Sequence, residues 1–159
     1  MYLLDTDVIV SLRRARPEST GLVAWAKSVP SAQLFVSPLT LIELEAACRQ
    51  GRDKAAVARL QQWLDGQVVP AFEGRMLPLD VAVIRRRRAL TLADERDALL
   101  AATALEQGLT LATRRPAAYK PARVRLIDPW SYKPDDDLDW REAARAGSPH
   151  WIKNLFGRG

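Results

Sequence analysis

The chain predicts an α/β fold: a parallel-type sheet with helices covering both faces. Strand-length apolar runs, Tyr2-Leu3-Leu4, Leu34-Phe35-Val36, Leu109–Thr113 and Val124–Ile127, alternate with helical segments. Strands buried on both sides read as such runs, and parallel neighbours need a crossover between them, usually a helix. An acid, Asp5, closes the first run, at the tip where open α/β sheets hold their ligands.

After the first strand, residues 2–5, the segment Val8–Arg14 reads as a helix that ends in the turn around Arg16-Pro17-Glu18-Ser19. Gly21–Ser28 is a second short helix with Leu22, Val23 and Trp25-Ala26 on its inner face. Ser37-Pro38 follows the second strand as a helix entry, Ser as cap and Pro in the first turn, for a helix over Leu39–Arg49 that stops near Gly51. Asp53 to Trp63 or Leu64 is helical, with Ala56, Val57, Leu60 and Leu64 at core spacing. Met76-Leu77-Pro78-Leu79 is expected as an edge strand because Pro lacks a ladder donor. A basic helix over Val81–Leu90 and an Ala/Leu-rich one over Glu95–Gln107, closed by Gly108, precede the last two strands. Beyond Asp128-Pro129-Trp130 the composition shifts. Residues 131–159 carry Asp135-Asp136-Asp137, Trp140, Trp151 and the sole histidine, His150, with a possible helix over Leu138–Ala146. The expected organisation is one domain over 1–130 and an appended extension over 131–159.

Bulk properties narrow the class. A length of 159 residues suits a single folded domain with a real core, and 48% hydrophobic content with a mean hydropathy of −0.17 fits a soluble globular chain and not a disordered one. No apolar run approaches the roughly 20 residues of a spanning helix, and the start lacks the pattern of a secretory leader. Cys48 stands alone, which removes a disulfide framework and fits the cytoplasm; it reads as a small buried apolar residue on its helix. A net charge of +5 and a pI near 9.8 suit a polyanionic partner, although mild basicity is common.

Two further acids recur in apolar settings like that of Asp5: Glu43 in Leu39-Thr40-Leu41-Ile42-Glu43-Leu44, and Asp97 in Asp97-Ala98-Leu99-Leu100-Ala101-Ala102-Thr103. If the fold gathers them, their repulsion is relieved best by a divalent cation. Each also has a plainer reading. An Asp after a strand is often a helix cap, a role open to Asp7, and Asp97 near a helix start complements its dipole. A Glu among Leu and Ile needs a partner whatever its function. Asp80, Asp94 and Glu45 are expected to be capping, structural or solvent-facing.

These blocks, followed in order by Gly108-Leu109-Thr110-Leu111-Ala112-Thr113-Arg114 and Leu126-Ile127-Asp128-Pro129-Trp130, resemble a PIN domain of the VapC/FitB type, the toxin half of bacterial toxin–antitoxin and plasmid-stability pairs. The resemblance covers about residues 1–130. It implies a PIN-like three-layer α/β/α fold with a central, mainly parallel sheet, and a cytoplasmic endoribonuclease dependent on Mg²⁺ or Mn²⁺. It puts the acidic ligands on Asp5, Glu43 and Asp97, with Thr6, Asp7, Thr40 and Thr113 as accessory groups; the family usually has Asn where Asp7 stands. It also implies a cognate antitoxin, an RNA substrate, frequent homodimers and no membrane.

The chain departs from the family pattern after Thr113-Arg114. Arg115 occupies an Asn/Asp position, and Ala118, before Tyr119, a later Asp position. The fourth acidic ligand is therefore missing. Arg115 has two readings: folded inward on Asp5 or Asp97, where its charge opposes metal, or outward as a contact for RNA phosphate. Arg85, Arg86, Arg87 and Arg88 cannot share one helix face, and serve RNA contact or solvation. Two rival functions remain: a PIN-type binding module without catalysis, and an aspartyl-phosphate phosphatase using Asp5-Thr6-Asp7, whose later motifs this chain lacks.

Overall fold

The computed structural model describes residues 1–14, 20–50 and 53–133. Four short strands, β1 (Tyr2–Leu4), β2 (Leu34–Phe35), β3 (Thr110–Ala112) and β4 (Leu126–Ile127), form one sheet in the order β2-β1-β3-β4. Every pairing is parallel, with Tyr2 opposite both Leu34 and Thr110, and Ala112 between Leu4 and Ile127. From β1 the chain builds outward to β2, then returns to add β3 and β4 on the other side. The crossovers thus diverge between β1 and β3, which opens a crevice beyond their carboxyl ends.

Alternate strand residues supply two cores, as the two-residue period of a strand requires. Leu3 and Leu111 face Leu100, Ala101 and Ala104, while Leu4 and Ala112 face Ile9, Leu12, Leu22 and Trp25. Helices α1 (Thr6–Arg14), α2 (Thr20–Ser28), α3 (Pro38–Gln50) and α4 (Lys54–Trp63) contribute to the second core, and α7 (Glu95–Glu106) to the first. Between them lie α5 (Val69–Ala71) and α6 (Val81–Arg88); α8 (Pro116–Tyr119) follows β3. The result is a three-layer α/β/α sandwich.

Helix starts follow the local chemistry. The Ser37 hydroxyl accepts the Leu39 N–H at 3.3 Å, and Asp53, Asp80 and Asp94 cap α4, α6 and α7 through their carboxylates. Gly108 closes α7 with φ of +63°, a conformation that costs other residues a steric clash. Gly21 has a different task. A Cβ there would lie 2.4 Å from the Trp130 carbonyl oxygen, so α2 and the turn at Pro129–Ser131 meet backbone to backbone.

Several sequence expectations change. The Met76–Leu79 strand reduces to a single parallel bridge between Val36 and Met76. Pro78 has no N–H to extend it. The helix from Asp53 does not end at Leu64 but continues through a π-helical turn, Leu64–Val68, into α5. Pro70 falls in the first turn of α5, where its missing donor costs least. The buried face of this segment is Trp63, Leu64 and Val68, whereas Ala56 is exposed and Val57 and Leu60 are half-buried. Asp7 is no cap: α1 starts at Thr6, and Asp7 lies inside its first turn. The expectations for Leu138–Ala146, Asp135–Asp137, Trp140, His150 and Trp151 fall outside the described residues, as does the side chain of Cys48.

Candidate active site

Asp5 follows β1 directly and is 4% exposed. Its backbone N–H continues the ladder to the Ala112 carbonyl at 3.0 Å, so its side chain enters the crevice between β1 and β3. Oδ1 accepts the Thr6 N–H at 2.8 Å; Oδ2 accepts the Thr113 hydroxyl at 2.7 Å and the Tyr119 hydroxyl at 3.0 Å. Thr113 is the residue after β3, on the other lip of the crevice.

Asp97 arrives from a different layer. The Asp94 carboxylate accepts the N–H groups of Arg96 and Asp97 at 2.9 and 3.0 Å, which fixes the first turn of α7. These bonds hold Asp94 below the usual carboxylate range, the Asp97 N–H first among them. From that turn Asp97 Oδ1 accepts the same Tyr119 hydroxyl at 2.9 Å. The two carboxylates thus share one phenol and lie no farther apart than two hydrogen bonds laid end to end. A phenol has one proton to give. Tyr119 is fully buried, and burial first, then the charges of Asp5 and Asp97, push its ionisation above the ordinary range.

Arg115 completes the cluster. Its guanidinium grips both Asp97 oxygens, Nη2 to Oδ1 at 2.8 Å and Nη1 to Oδ2 at 3.3 Å, with Nη2 3.8 Å from Asp5 Oδ2. Its backbone N–H donates to the Thr113 hydroxyl oxygen at 3.1 Å. The hydrogen bonds to Asp97 hold this arginine even more firmly protonated than usual. Of the two orientations open from sequence, the inward one is observed.

Asp7 Oδ2 accepts the Arg114 N–H at 3.0 Å, whereas its Oδ1 is buried with no partner among the described residues. Burial, then the neighbouring Asp5 charge, raises its carboxyl to about 6, against the pull of the Arg114 N–H and the Arg115 charge. Glu43 does not join Asp5 and Asp97. It pairs with Arg96 at 3.3 Å, beside the start of α7. Among the described residues no three His, Cys, Asp or Glu side chains gather closely enough to hold a metal ion together. Thr40 is buried and its hydroxyl has no partner among the described residues.

The basic run on α6 divides by face. Arg86 meets Glu106 at 3.0 Å and Arg87 meets Glu95, so both are tied to α7. Arg85 and Arg88 are exposed and without a partner among the described residues. Two participants escaped sequence reasoning: the bridging Tyr119 hydroxyl and Arg96, the partner of Glu43. Tyr119 carried a faint signal, as the aromatic after the position where the family pattern has its later Asp.

The donor chemistry of this cluster suits a small divalent cation. Asp5 and Asp97 offer hard carboxylate oxygens a short distance apart, and the unpartnered Asp7 Oδ1 is buried two residues from Asp5. The position between the two carboxylates, however, is held by Arg115.

Comparisons with known proteins agree with this architecture. The family model described as PIN domain matches residues 2–122. Toxin FitB of Neisseria gonorrhoeae is 36% identical over 141 residues, covering 82% of this chain and 99% of that protein. VapC ribonuclease Y4jK of Sinorhizobium fredii is 32% identical over 141 residues, covering 82% and 98%. The crystal structure of FitAcB from Neisseria gonorrhoeae superposes with a TM-score of 0.73 at 30% identity, over 82% of this chain and 99% of that one. On sequence and on architecture, the chain belongs to the PIN-domain family and is of the VapC/FitB type.

Proposed function

We propose that this protein is the ribonuclease toxin of a VapC-type toxin–antitoxin or plasmid-stability pair, hydrolysing RNA phosphodiesters at the Asp5–Asp97 cluster. The observation that carries this reading is the convergence of Asp5 and Asp97 on the Tyr119 hydroxyl, at the switch point of a PIN-domain sheet. Asp5 and Asp97 would hold Mg²⁺ or Mn²⁺, with Glu43 as a third acid once it leaves Arg96; the ion when bound supplies a more acidic water and charge neutralisation at the phosphate. The chain's own groups do the positioning. Thr113 orients Asp5 through its hydroxyl, and Tyr119 sets the spacing of the two carboxylates. Asp7, Thr6 and Thr40 are accessory groups around them. The exposed Arg85 and Arg88 and the net charge of +5 favour association with an RNA backbone. The partners that go with this reading are a cognate antitoxin, a second copy of the chain and an RNA target, all in the cytoplasm. No helix among the described residues is long and apolar enough to cross a membrane.

A second reading has its own observation. Arg115 stands where the family pattern has Asn or Asp and Ala118 where it has Asp, and Arg115 neutralises Asp97. On that basis the protein is a PIN-type module that binds its antitoxin or nucleic acid without cleaving. Incubation of the wild type and of Asp5→Ala and Asp97→Asn with a mixed RNA pool, in Mn²⁺, Mg²⁺ or EDTA, separates the two. Cleavage by wild type alone and only with metal supports the nuclease. Intact RNA in every lane, with retained binding by gel shift, supports the module.

A further inference from the structure

The Asp5–Asp97 pair already has a cation. Arg115 uses both branches of its fork on Asp97 and approaches Asp5 at 3.8 Å. A guanidinium and a divalent ion placed between these carboxylates exclude each other, because they compete for the same oxygen lone pairs. The hold on Arg115 is nonetheless one-sided. Its side chain is 55% exposed; apart from the two carboxylates the guanidinium meets the edge of the site at the Tyr119 ring, 5.8 Å from its centroid, while its backbone N–H is held by Thr113. A phosphodiester presents the same geometry as a carboxylate to an arginine fork, so an incoming RNA backbone offers Arg115 an equivalent partner a side-chain rotation away.

We propose that Arg115 is a built-in counter-ion: it neutralises Asp5 and Asp97 in the resting protein and transfers to a substrate phosphate, releasing the carboxylates for the divalent cation. RNA and metal then favour the same arrangement, with Arg115 turned out, and each must strengthen the other's binding by the same factor. The inference rests on the metal-holding role assigned above to Asp5 and Asp97. It differs in making the fork, and not the acids alone, decide when the ion enters.

The test measures free Mn²⁺ by electron paramagnetic resonance during titration of the full chain, with and without an uncleavable 2′-O-methyl oligoribonucleotide. Wild type, Arg115→Gln and Asp97→Asn are compared, the last correcting for ions held by the oligonucleotide itself. Without RNA, Arg115→Gln should bind Mn²⁺ about tenfold more tightly than wild type, within the usual span of such linkage. The oligonucleotide should tighten Mn²⁺ binding of wild type by about the same factor and leave Arg115→Gln nearly unchanged. Equal affinities of wild type and Arg115→Gln would overturn the counter-ion role. A gain in Arg115→Gln with no response of wild type to the oligonucleotide would overturn the transfer to phosphate. If no variant binds Mn²⁺, the metal reading and the exchange fall together. A melting-temperature cycle of Arg115→Gln and Asp97→Asn in EDTA keeps that failure separate: non-additive shifts would still place Arg115 on Asp97, and additive ones would remove it.

Discussion

Replacing Asp7 by Asn should stabilise the metal-free protein at neutral pH and do so less as the pH falls. The folded state raises this carboxyl from its ordinary 3.8 to about 6, through burial and the charge on Asp5. Between those two values the folded state binds more protons than the unfolded one, so stability falls as the pH rises through this window. Below about pH 4 the group is neutral in both states and the penalty is absent; above about pH 6 it is complete. The full shift corresponds to roughly 3 kcal/mol, and water reaching the partly exposed carboxylate reduces this to about 1–2 kcal/mol. Asn retains an oxygen for the Arg114 N–H and carries no charge. For a chain of this size the gain is about 3–6 °C in melting temperature. Melting curves of wild type and Asp7→Asn in EDTA, from pH 4 to 8, give the answer. A difference that stays flat across the range, or widens towards acid, would refute the reasoning.

Other outcomes follow from single contacts. Tyr119→Phe keeps the buried ring but removes the hydroxyl shared by Asp5 and Asp97; urea unfolding in EDTA should show a loss of about 1.5–3 kcal/mol. Arg96→Ala should change stability by less than about 1 kcal/mol in the same assay, because the Arg96 end of its pair with Glu43 is exposed to solvent; Glu43→Gln, by contrast, should abolish metal-dependent RNA cleavage. Gly21→Ala should lower the melting temperature despite better helix propensity, since its Cβ would meet the Trp130 carbonyl at 2.4 Å. Leu4→Ala, at a fully buried position between β1 and the α1–α2 layer, should cost about 2–5 kcal/mol.

What sequence made legible was whatever is written locally. Tyr2-Leu3-Leu4, the Asp94 cap and the Gly108 stop are encoded within a few residues, and the structure puts strand, helix start and helix end there. The parallel sheet followed from the alternation of such segments, although the fifth, edge strand expected over 76–79 reduced to one bridge. Segment 64–71 was lost because Gly66 and Pro70 normally break a helix, and a π-helical turn with a restart absorbs both. Short α8 has no periodicity to read, yet it delivers Tyr119. Asp5 and Asp97 were found through their apolar surroundings and the family pattern. Their shared phenol joins positions 114 and 22 residues apart, a relation that no window of sequence displays. Glu43 shows the converse limit: its setting promised a buried partner, but whether that partner is Arg96 or the other acids depends on how α3 and α7 pack.

The bond between Asp5 and Tyr119 spans 114 residues. A polypeptide emerging from the ribosome therefore exposes Asp5 long before Thr113, Arg115 and Tyr119, and has no assembled centre until they follow. Prematurely terminated products that keep the first acid but lose Thr113, Arg115 and Tyr119 lack the contacts that build the centre. For a protein whose proposed trade is cutting RNA, chain connectivity itself acts as a timer, keeping the blade unsharpened while its own message is still being read.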